Sequence, residues 1–338
     1  MAILITGGTG FIGSHTVVQL LNDGREVVIL DNLSNSKKCV LDRIETITGK
    51  RPKFYEADLL DFAATEKVFA ENEIDSVIHF AGFKAVGESV QLPLKYYHNN
   101  LTGTFNLVEL MGKYNVKNIV FSSSATVYGL PKTVPITEDF PLSTTNPYGE
   151  TKLMIERILS DVCVADKDFT VAILRYFNPI GAHESGLMGE DPQGIPNNLL
   201  PYVAKVGAGK LECLSVHGND YDTPDGTGVR DYIHVVDLAD AHLAALDWTK
   251  RSTGIDYFNV GTGNGYSVLE VVAAYEKASG KTVKYKIGPR RPGDIGACYA
   301  NPAKAKEVLG WSAKRGIEEM CNDLARWQEQ NPDGYPND

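Results

Sequence analysis

The sequence of 338 residues is poor in cysteine and shows no pattern among the few it has. The five, Cys39, Cys163, Cys213, Cys298 and Cys321, are odd in number, widely scattered and without a C-x-x-C spacing. That excludes a framework of disulfide or metal staples and points to a reducing compartment. Positive charge is also scarce. The 33 Lys and Arg against 43 Asp and Glu leave a formal net charge of −10, a field that repels phosphate backbones and anionic membrane surfaces. No stretch approaches the roughly 18 apolar residues of a membrane span. The opening Met1 to Thr6 enters an apolar run without a positive n-region and meets Gly7 too soon for a signal peptide. A cytoplasmic protein with no nucleic-acid and no membrane partner is therefore expected. Repeats and low-complexity tracts are missing as well, and 43% hydrophobic with 22% charged residues excludes disorder. A chain of roughly 300 residues buries about three quarters of its unfolded surface and commonly forms about two domains.

What is present is alternation. Short β-branched runs at Ala2–Thr6, Glu26–Leu30, Lys53–Ala57, Ser76–Ala81, Asn118–Ser122 and Thr170–Tyr176 alternate with helical periods at Phe11–Asn22, Asp61–Asn72, Pro93–Asn115 and Tyr148–Val164. This is the pattern of an α/β fold, a doubly wound parallel sheet covered by helices on both faces. After about residue 180 the alternation breaks. Gly181–Pro196 and Gly218–Gly228 read as long loops, and helical periods return at Val235–Lys250, Ser267–Ser279, Ala303–Leu309 and Ile317–Gln330. A nucleotide-binding domain over 1–180 and a smaller, mixed α/β C-terminal substrate domain over 181–338 are expected, with Tyr257–Val260 a short strand that could return to the large sheet.

The first strand runs straight into Gly7-Gly8-Thr9-Gly10-Phe11-Ile12-Gly13. Glycine is needed where the chain turns tightly, where backbone approaches a pyrophosphate and where helix packs on strand, and Gly7, Gly10 and Gly13 fill those roles. The spacing is GxxGxxG rather than GxGxxG. Eighteen residues beyond Gly13 the second strand ends in Asp31, where a carboxylate can accept hydrogen bonds from ribose hydroxyls, the arrangement of a Rossmann dinucleotide site. A 2′-phosphate there would meet like charge, so NAD is favoured, while Lys37 and Lys38 keep NADP open. Asp58 closes the third strand and either meets the adenine or caps the next turn before Leu59. Phe80-Ala81-Gly82 closes the fourth strand with small residues that let backbone lie against the dinucleotide, and Lys84 follows. Asn99, in the long helix, is a cofactor candidate or a polar face residue.

The fifth strand ends Ser122-Ser123-Ser124-Ala125-Thr126, and 24 residues after Ser124 comes Tyr148-Gly149-Glu150-Thr151-Lys152. Tyr and Lys four apart share one helix face, so an ammonium can sit beside a phenol and favour its phenolate. A Tyr of ordinary pKa is a poor base at neutral pH, and Lys152 together with a positive nicotinamide is expected to lower it. Ser124 can orient a reacting hydroxyl, and at least one of Ser122 to Ser124 is only a polar strand end. His234, His242 and Asp237 could suggest a metal, but their helical surroundings favour capping and surface roles, and no metal is expected.

The glycine run, Asp31, the serine cluster and YxxxK resemble the extended short-chain dehydrogenase/reductases. Longer strings, His79–Gly82, Lys84–Val90, Leu174–Pro179, Gly189–Asn198 and Asp225–His234, narrow the resemblance to the UDP-galactose 4-epimerase family. It implies a homodimer that holds NAD tightly and interconverts UDP-galactose and UDP-glucose through a 4-ketose. It also implies Tyr148 as base with Lys152 and Ser124. Cofactor contacts follow from Gly7, Gly10, Phe11, Ile12, Gly13, Asp31, Asn32, Asn35, Ser36, Asp58, Leu59, Phe80, Ala81, Gly82, Lys84, Asn99, Ser122, Tyr176 and Phe177. Sugar-nucleotide contacts follow from Ser124, Tyr148, Asn178, Asn198, Leu199, Ser215, His217, Arg230, Tyr232, Arg291, Asp294 and Cys298. Arg230 and Arg291 suit a diphosphate, since guanidinium forks bind phosphate oxygens in pairs, although either could be a surface ion-pair residue. His217 stands where the family more often has Phe against the uracil.

By the same resemblance, the residue four after Asp294 flanks the sugar's C2 substituent. Epimerases restricted to plain hexoses carry Tyr there, and this chain has Cys298, so UDP-GalNAc and UDP-GlcNAc are also expected as substrates. Tyr299 could close the pocket instead if the register shifted by one. Related 4,6-dehydratases place acidic residues after the fifth-strand serine, where this chain has Ala125 and Thr126. A dehydrogenase with exchangeable NAD and a non-catalytic NAD sensor are the alternatives.

Overall fold

A computed structural model of the chain describes residues 1–336 except 193, 195, 197, 292 and 293. Gln193, Ile195 and Asn197 of the strings above therefore lie outside the described residues. The first half is built as β1 (Ala2–Thr6), α1 (Phe11–Asn22), β2 (Val27–Asp31), α2 (Val40–Thr48), β3 (Lys53–Glu56), α3 (Phe62–Ala70) and β4 (Ile74–His79). It continues through α4 (Val86–Gln91), α5 (Pro93–Lys113), β5 (Asn118–Ser124), α6 (Pro147–Ala165) and β6 (Thr170–Tyr176). Every anticipated strand end of this half falls within two residues of the observed one.

Seven strands form one parallel sheet in the order β10-β6-β5-β4-β1-β2-β3, in which β10 (Gly254–Val260) is the returning strand anticipated near Tyr257. Alternate residues of each strand go to opposite faces. Ile3, Ile5, Val27 and Ile29 join one buried cluster with α1 and α2, while Ala2, Leu4, Val28 and Leu30 join another with Val68 of α3, Leu107 of α5 and Ile155 and Leu159 of α6. Because both faces are covered, the strands read as continuous apolar runs. Strand order reverses beside β1, with β2 on one side and β4 on the other. That is the switch point at whose carboxyl end open α/β sheets bind ligands.

The remainder comprises β7 (Asn178–Ile180), α7 (Leu199–Gly207), β8 (Leu214–His217), β9 (Val229–His234), α8 (Val235–Thr249), β11 (Gly265–Ser267), α9 (Val268–Ser279), β12 (Tyr285–Gly288), β13 (Ala297–Cys298) and α10 (Ile317–Gln330). Strand β9 is the hub of a small sheet, with β11 and β13 on its two sides and β7 also paired to it, while β8 and β12 form a parallel pair. Helix α8 packs on α1 against the large sheet. Helices α2, α4 and α7 and the small strands from β7 onward were not anticipated, and the expected helix at Ala303–Leu309 widens to a π-helical turn over Ala305–Leu309.

Candidate active site

The turn after β1 is held by close packing of backbone on backbone. Gly7 has φ +72°, and a Cβ there would stand 2.9 Å from the Ala81 amide nitrogen. Helix α1 then starts at Phe11 with no side-chain cap and no acidic residue in its first turn, so its leading N–H groups and positive dipole end are available to an anion. Asp31 is buried at the end of β2. Its Oδ2 accepts from the Thr9 amide at 3.1 Å, and its Oδ1 accepts from the Leu33 amide at 2.9 Å and the Ser36 hydroxyl at 3.2 Å. The carboxylate thus ties the glycine turn to the 31–36 loop, beyond the simple strand-end role. Asp58 takes the capping role, its Oδ1 accepting from the Leu60 amide, while its Oδ2 accepts from Asn32. Lys37 pairs with Asp191 and Lys38 with Glu56, so carboxylates already balance the two cations that kept NADP open. These residues fit a dinucleotide: a free helix N-terminus for the pyrophosphate and a fixed carboxylate for the ribose.

Beyond β4, Gly82 and Phe83 lie against Asn100, whose side chain bonds both backbone groups of Phe83 and the Thr151 hydroxyl of α6. Asn99 is its half-buried neighbour and donates to Asn100 Oδ1 at 3.0 Å. Asn100 was missed; the signal is a polar residue on the buried face of a long helix. Tyr176 is buried, and its hydroxyl donates to His242 Nε2, since His242 Nδ1 is committed to the Leu238 carbonyl. His242 is therefore a core residue and not the surface one expected, because α8 is covered by the sheet on one side and by α1 on another. His234 does cap α8, its Nδ1 accepting from the Val236 amide at 3.0 Å, while Asp237 is buried and binds Arg315. No group of metal-ligating side chains occurs among the described residues.

At the carboxyl end of β5 the expected constellation assembles. Asn146 caps α6 through the Gly149 amide, and Pro147 occupies the first turn, which places Tyr148 at the positive end of the helix. Ser124 faces the Tyr148 phenol and works to lower its pKa, and it accepts from both the amide and hydroxyl of Thr126. Lys152, buried one turn on, donates to the Ser122 carbonyl at 2.7 Å and lies 4.9 Å from the Phe121 ring centroid. Burial lowers its pKa to about 8, with Glu156 acting the other way. The Tyr148 phenol is raised by burial, opposed by the Ser124 hydrogen bond. Desolvation is the dominant influence on the phenol within the chain itself, and the ammonium is seated on the strand carbonyl.

The substrate candidates collect around β9. Asn178 of β7 is in register with Tyr232 and donates to the Asp231 carbonyl, while Cys298 of β13 is in register with Arg230. Arg230 and Arg291 share Asp294, at 3.4 Å and 2.9 Å. Ser215 and His217 stand two apart on β8, and Asn198 and Leu199 sit at the start of α7. Glu190, which the sequence did not single out, bridges the two halves through one oxygen, meeting Lys84 at 3.3 Å and Asn198 at 3.1 Å. Cys298 packs against the cluster of Val127, Leu153 and Phe177. Tyr299 lies on the other side, its ring 3.2 Å from where a Cβ of Gly265 would stand. Cys298 and Tyr299 therefore face opposite sides of β13.

Comparison with known proteins agrees with this arrangement. The family profile described as GDP-mannose 4,6 dehydratase matches residues 4–324. The UDP-glucose 4-epimerase of Bacillus subtilis is 69% identical over 335 residues, covering 99% of both chains. The chain belongs to the UDP-glucose 4-epimerase family. Members of this family are isomerases, as the name states. Among solved structures, the UDP-glucose 4-epimerase from Bifidobacterium longum in complex with NAD+ and UDP superposes with a TM-score of 0.96 at 59% identity, covering 99% of this chain and 100% of that one. The UDP-Glc/GlcNAc 4-epimerase from Campylobacter jejuni gives 0.86 at 41% identity, covering 97% and 99%.

Proposed function

We propose that the protein is an NAD-dependent 4-epimerase that interconverts UDP-galactose and UDP-glucose. The observation that carries the reading is Tyr148, Lys152 and the Ser122–Ser124 strand end meeting beside the glycine turn, where a sugar and a nicotinamide would share one crevice. Phe11, Ile12, Asp31, Asn35, Ser36, Leu59, Lys84 and Phe177 would surround the cofactor, and NAD when bound supplies the acceptor and donor of the hydrogen on C4. Tyr148, as the phenolate, takes the proton of the 4′-hydroxyl as the hydrogen leaves and, as the phenol, returns it later, so the ionised form must be stabilised before the reaction. Ser124 orients that hydroxyl, and the Lys152 cation together with the α6 dipole stabilises the phenolate. Arg230 and Arg291 clamp the diphosphate, exchanging part of their hold on Asp294 for phosphate oxygens.

Although the matched profile carries the name of a dehydratase, dehydration needs an acid and a base next to the reacting carbons. Ala125 has no titratable group, and the Thr126 hydroxyl is committed to Ser124, so epimerisation is the reading that the residues support.

The reading extends to UDP-GalNAc and UDP-GlcNAc, supported by Cys298 in place of a bulkier ring, and to a homodimer, supported by Val86, Val90, Leu92, Leu94 and Phe105 standing exposed on α4, α5 and the turn between them. The division into 1–180 and 181–338 belongs to the same proposal, with α8 and β10 lent back to the first part. A cytoplasmic location accords with five free cysteines. The test is an assay of the purified protein on UDP-galactose without added cofactor. UDP-glucose is the expected product; steady release of NADH, a 4-keto-6-deoxy product, or no turnover would each contradict the reading.

A further inference from the structure

Three consecutive residues of β5 each hold one of three residues that recur at one-turn spacing on α6. The Ser124 hydroxyl faces the Tyr148 phenol, the Ser122 carbonyl accepts from Lys152, and the Ser123 hydroxyl donates to Glu156 Oε1. Positions 148, 152 and 156 share one helix face, so the strand and helix are locked in a single register. The third pair has no part in the reaction described above. Glu156 is gripped from its other side by Arg175 of β6, whose Nε donates to Oε1 at 3.0 Å and whose Nη2 donates to Oε2 at 2.7 Å. Both side chains are 2% exposed. Arg175 Nη1 goes on to the Tyr128 hydroxyl at 2.9 Å, which donates to Asn259 Oδ1.

A buried ion pair is weak as a source of stability, because desolvating two charges consumes most of their attraction and an apolar pair of equal volume does as well. Its placement one turn from the lysine calls for another account. We propose that Glu156, clamped by Arg175 and Ser123, is a positioning residue that keeps Lys152 cationic and seated on the Ser122 carbonyl, and thereby sets the alkaline limit of catalysis.

This rests on the epimerase reading for its kinetic consequence but not for its electrostatic one. The groups facing Lys152 are few. From α6 come Tyr148 and Glu156; from β5 the Ser122 carbonyl and the Phe121 ring; from β4 His79; from β6 Arg175 and Tyr176. Tyr96 of α5, itself bonded to Glu88, and Tyr257 of β10 lie beyond Tyr148 and Glu156. His79 is neutral, since its Nδ1 accepts from Thr6 and its Nε2 donates to Thr104, whose own proton goes to the Asn100 carbonyl. Among the charged groups, Glu156 raises the pKa of Lys152, which burial has brought down to about 8. Without that carboxylate the amine would lose its proton at lower pH, and the phenolate would lose its cation with it.

The experiment is the pH dependence of kcat for the holoenzyme on UDP-galactose, between roughly pH 5.5 and 9.5, for the wild type, Glu156→Gln and the double variant Glu156→Leu/Arg175→Met. Both variants are expected to move the alkaline limb to lower pH by about one unit or more, with KM little changed. The double variant removes both charges and keeps an apolar contact, so it supplies the result should Glu156→Gln unfold. A uniform loss of kcat at every pH with the limb unmoved, or no change at all, overturns the proposal. Nitrogen-15 NMR of the Lys152 ammonium reads the same shift without turnover, so an absence of epimerase activity would refute the earlier reading while leaving this one measurable.

Discussion

Gly13 packs so closely on Gly7 that a Cβ on Gly13 would stand 2.2 Å from the Gly7 carbonyl oxygen. Neither atom belongs to a side chain that can rotate aside, so the contact fixes where α1 leaves the strand-end turn. Gly10, between them, meets only that same carbonyl, at 3.3 Å. The two glycines therefore predict different failures. Gly13→Ala should cost about 1–3 kcal/mol by overpacking and lose the cofactor. Gly10→Ala should keep the thermal midpoint within a few degrees while reducing the NAD that copurifies, because its methyl would occupy the path of the pyrophosphate. Thermal unfolding and the cofactor content of the purified variants separate the two, and equal destabilisation would refute the assignment of Gly10 to the ligand.

Tyr148 is buried enough to resist ionisation, and the groups that favour its phenolate are Ser124, Lys152 and the first turn of α6. Tyr148→Phe removes the proton acceptor and should lower kcat by about 10²–10⁴-fold with the fold intact. Lys152→Ala should raise the pH at which activity appears, since the phenolate loses its nearest cation. Near-normal turnover by Tyr148→Phe would remove the phenol from the mechanism.

The large sheet was legible in the sequence because it is covered on both faces: short, β-branched apolar runs such as Ala2–Thr6 and Thr170–Tyr176, bounded by turn residues, are what strands buried on both sides look like. The small strands were not. β7, β11 and β13 hold two or three residues, too few for any period to register, and β9 was masked by its charged residues Arg230 and Asp231. Glycine spacing and YxxxK disclosed Gly7, Gly13, Tyr148 and Lys152, which act through local geometry. Glu156 and Arg175 are 19 residues apart on different elements, and their pairing is a tertiary fact. A hint was present, since Glu156 continues the Tyr148–Lys152 face into the buried half of α6, where an unpartnered carboxylate would be untenable. Glu190 gave no such hint, being a loop residue whose two partners come from opposite halves of the chain.

Three buried histidines make the fold acid-sensitive. Burial brings His15, His79 and His242 down to about 3 each, well below the unfolded value of about 6.5. A basic group whose folded pKa is depressed is neutral in the native state, so the unfolded chain binds more protons between the two values. The stability these groups contribute is present above about pH 6.5 and is lost as pH falls toward 3. Well inside that window each adds about 1.4 kcal/mol per pH unit to the slope, or about 4 kcal/mol for the three. Urea midpoints taken between pH 7 and pH 5 should fall steeply, and His79→Gln should flatten the slope by about a third. A midpoint indifferent to pH over this range would show that these side chains are charged in the native state.

The proposed breadth of substrates rests on the opposite faces of Cys298 and Tyr299. The thiol lies with Val127 and Phe177 beside the catalytic strand end, whereas the phenol lies against Gly265 on the far side of β13. A sulfhydryl leaves room for several heavy atoms that a phenol at the same position would fill, and a steric clash discriminates more sharply than the loss of a modest contact. Cys298→Tyr is therefore expected to lower turnover of UDP-GlcNAc and UDP-GalNAc by about 10²-fold or more, a discrimination of roughly 3 kcal/mol, while sparing UDP-galactose. Tyr299→Phe should affect neither pair of sugars, since its ring faces away from the pocket. Parallel kcat/KM measurements on plain and N-acetylated sugars decide the matter: equal loss on both in Cys298→Tyr would mean that the new ring disturbs the strand end itself, and the thiol would then be only a small residue filling the cluster under Phe177.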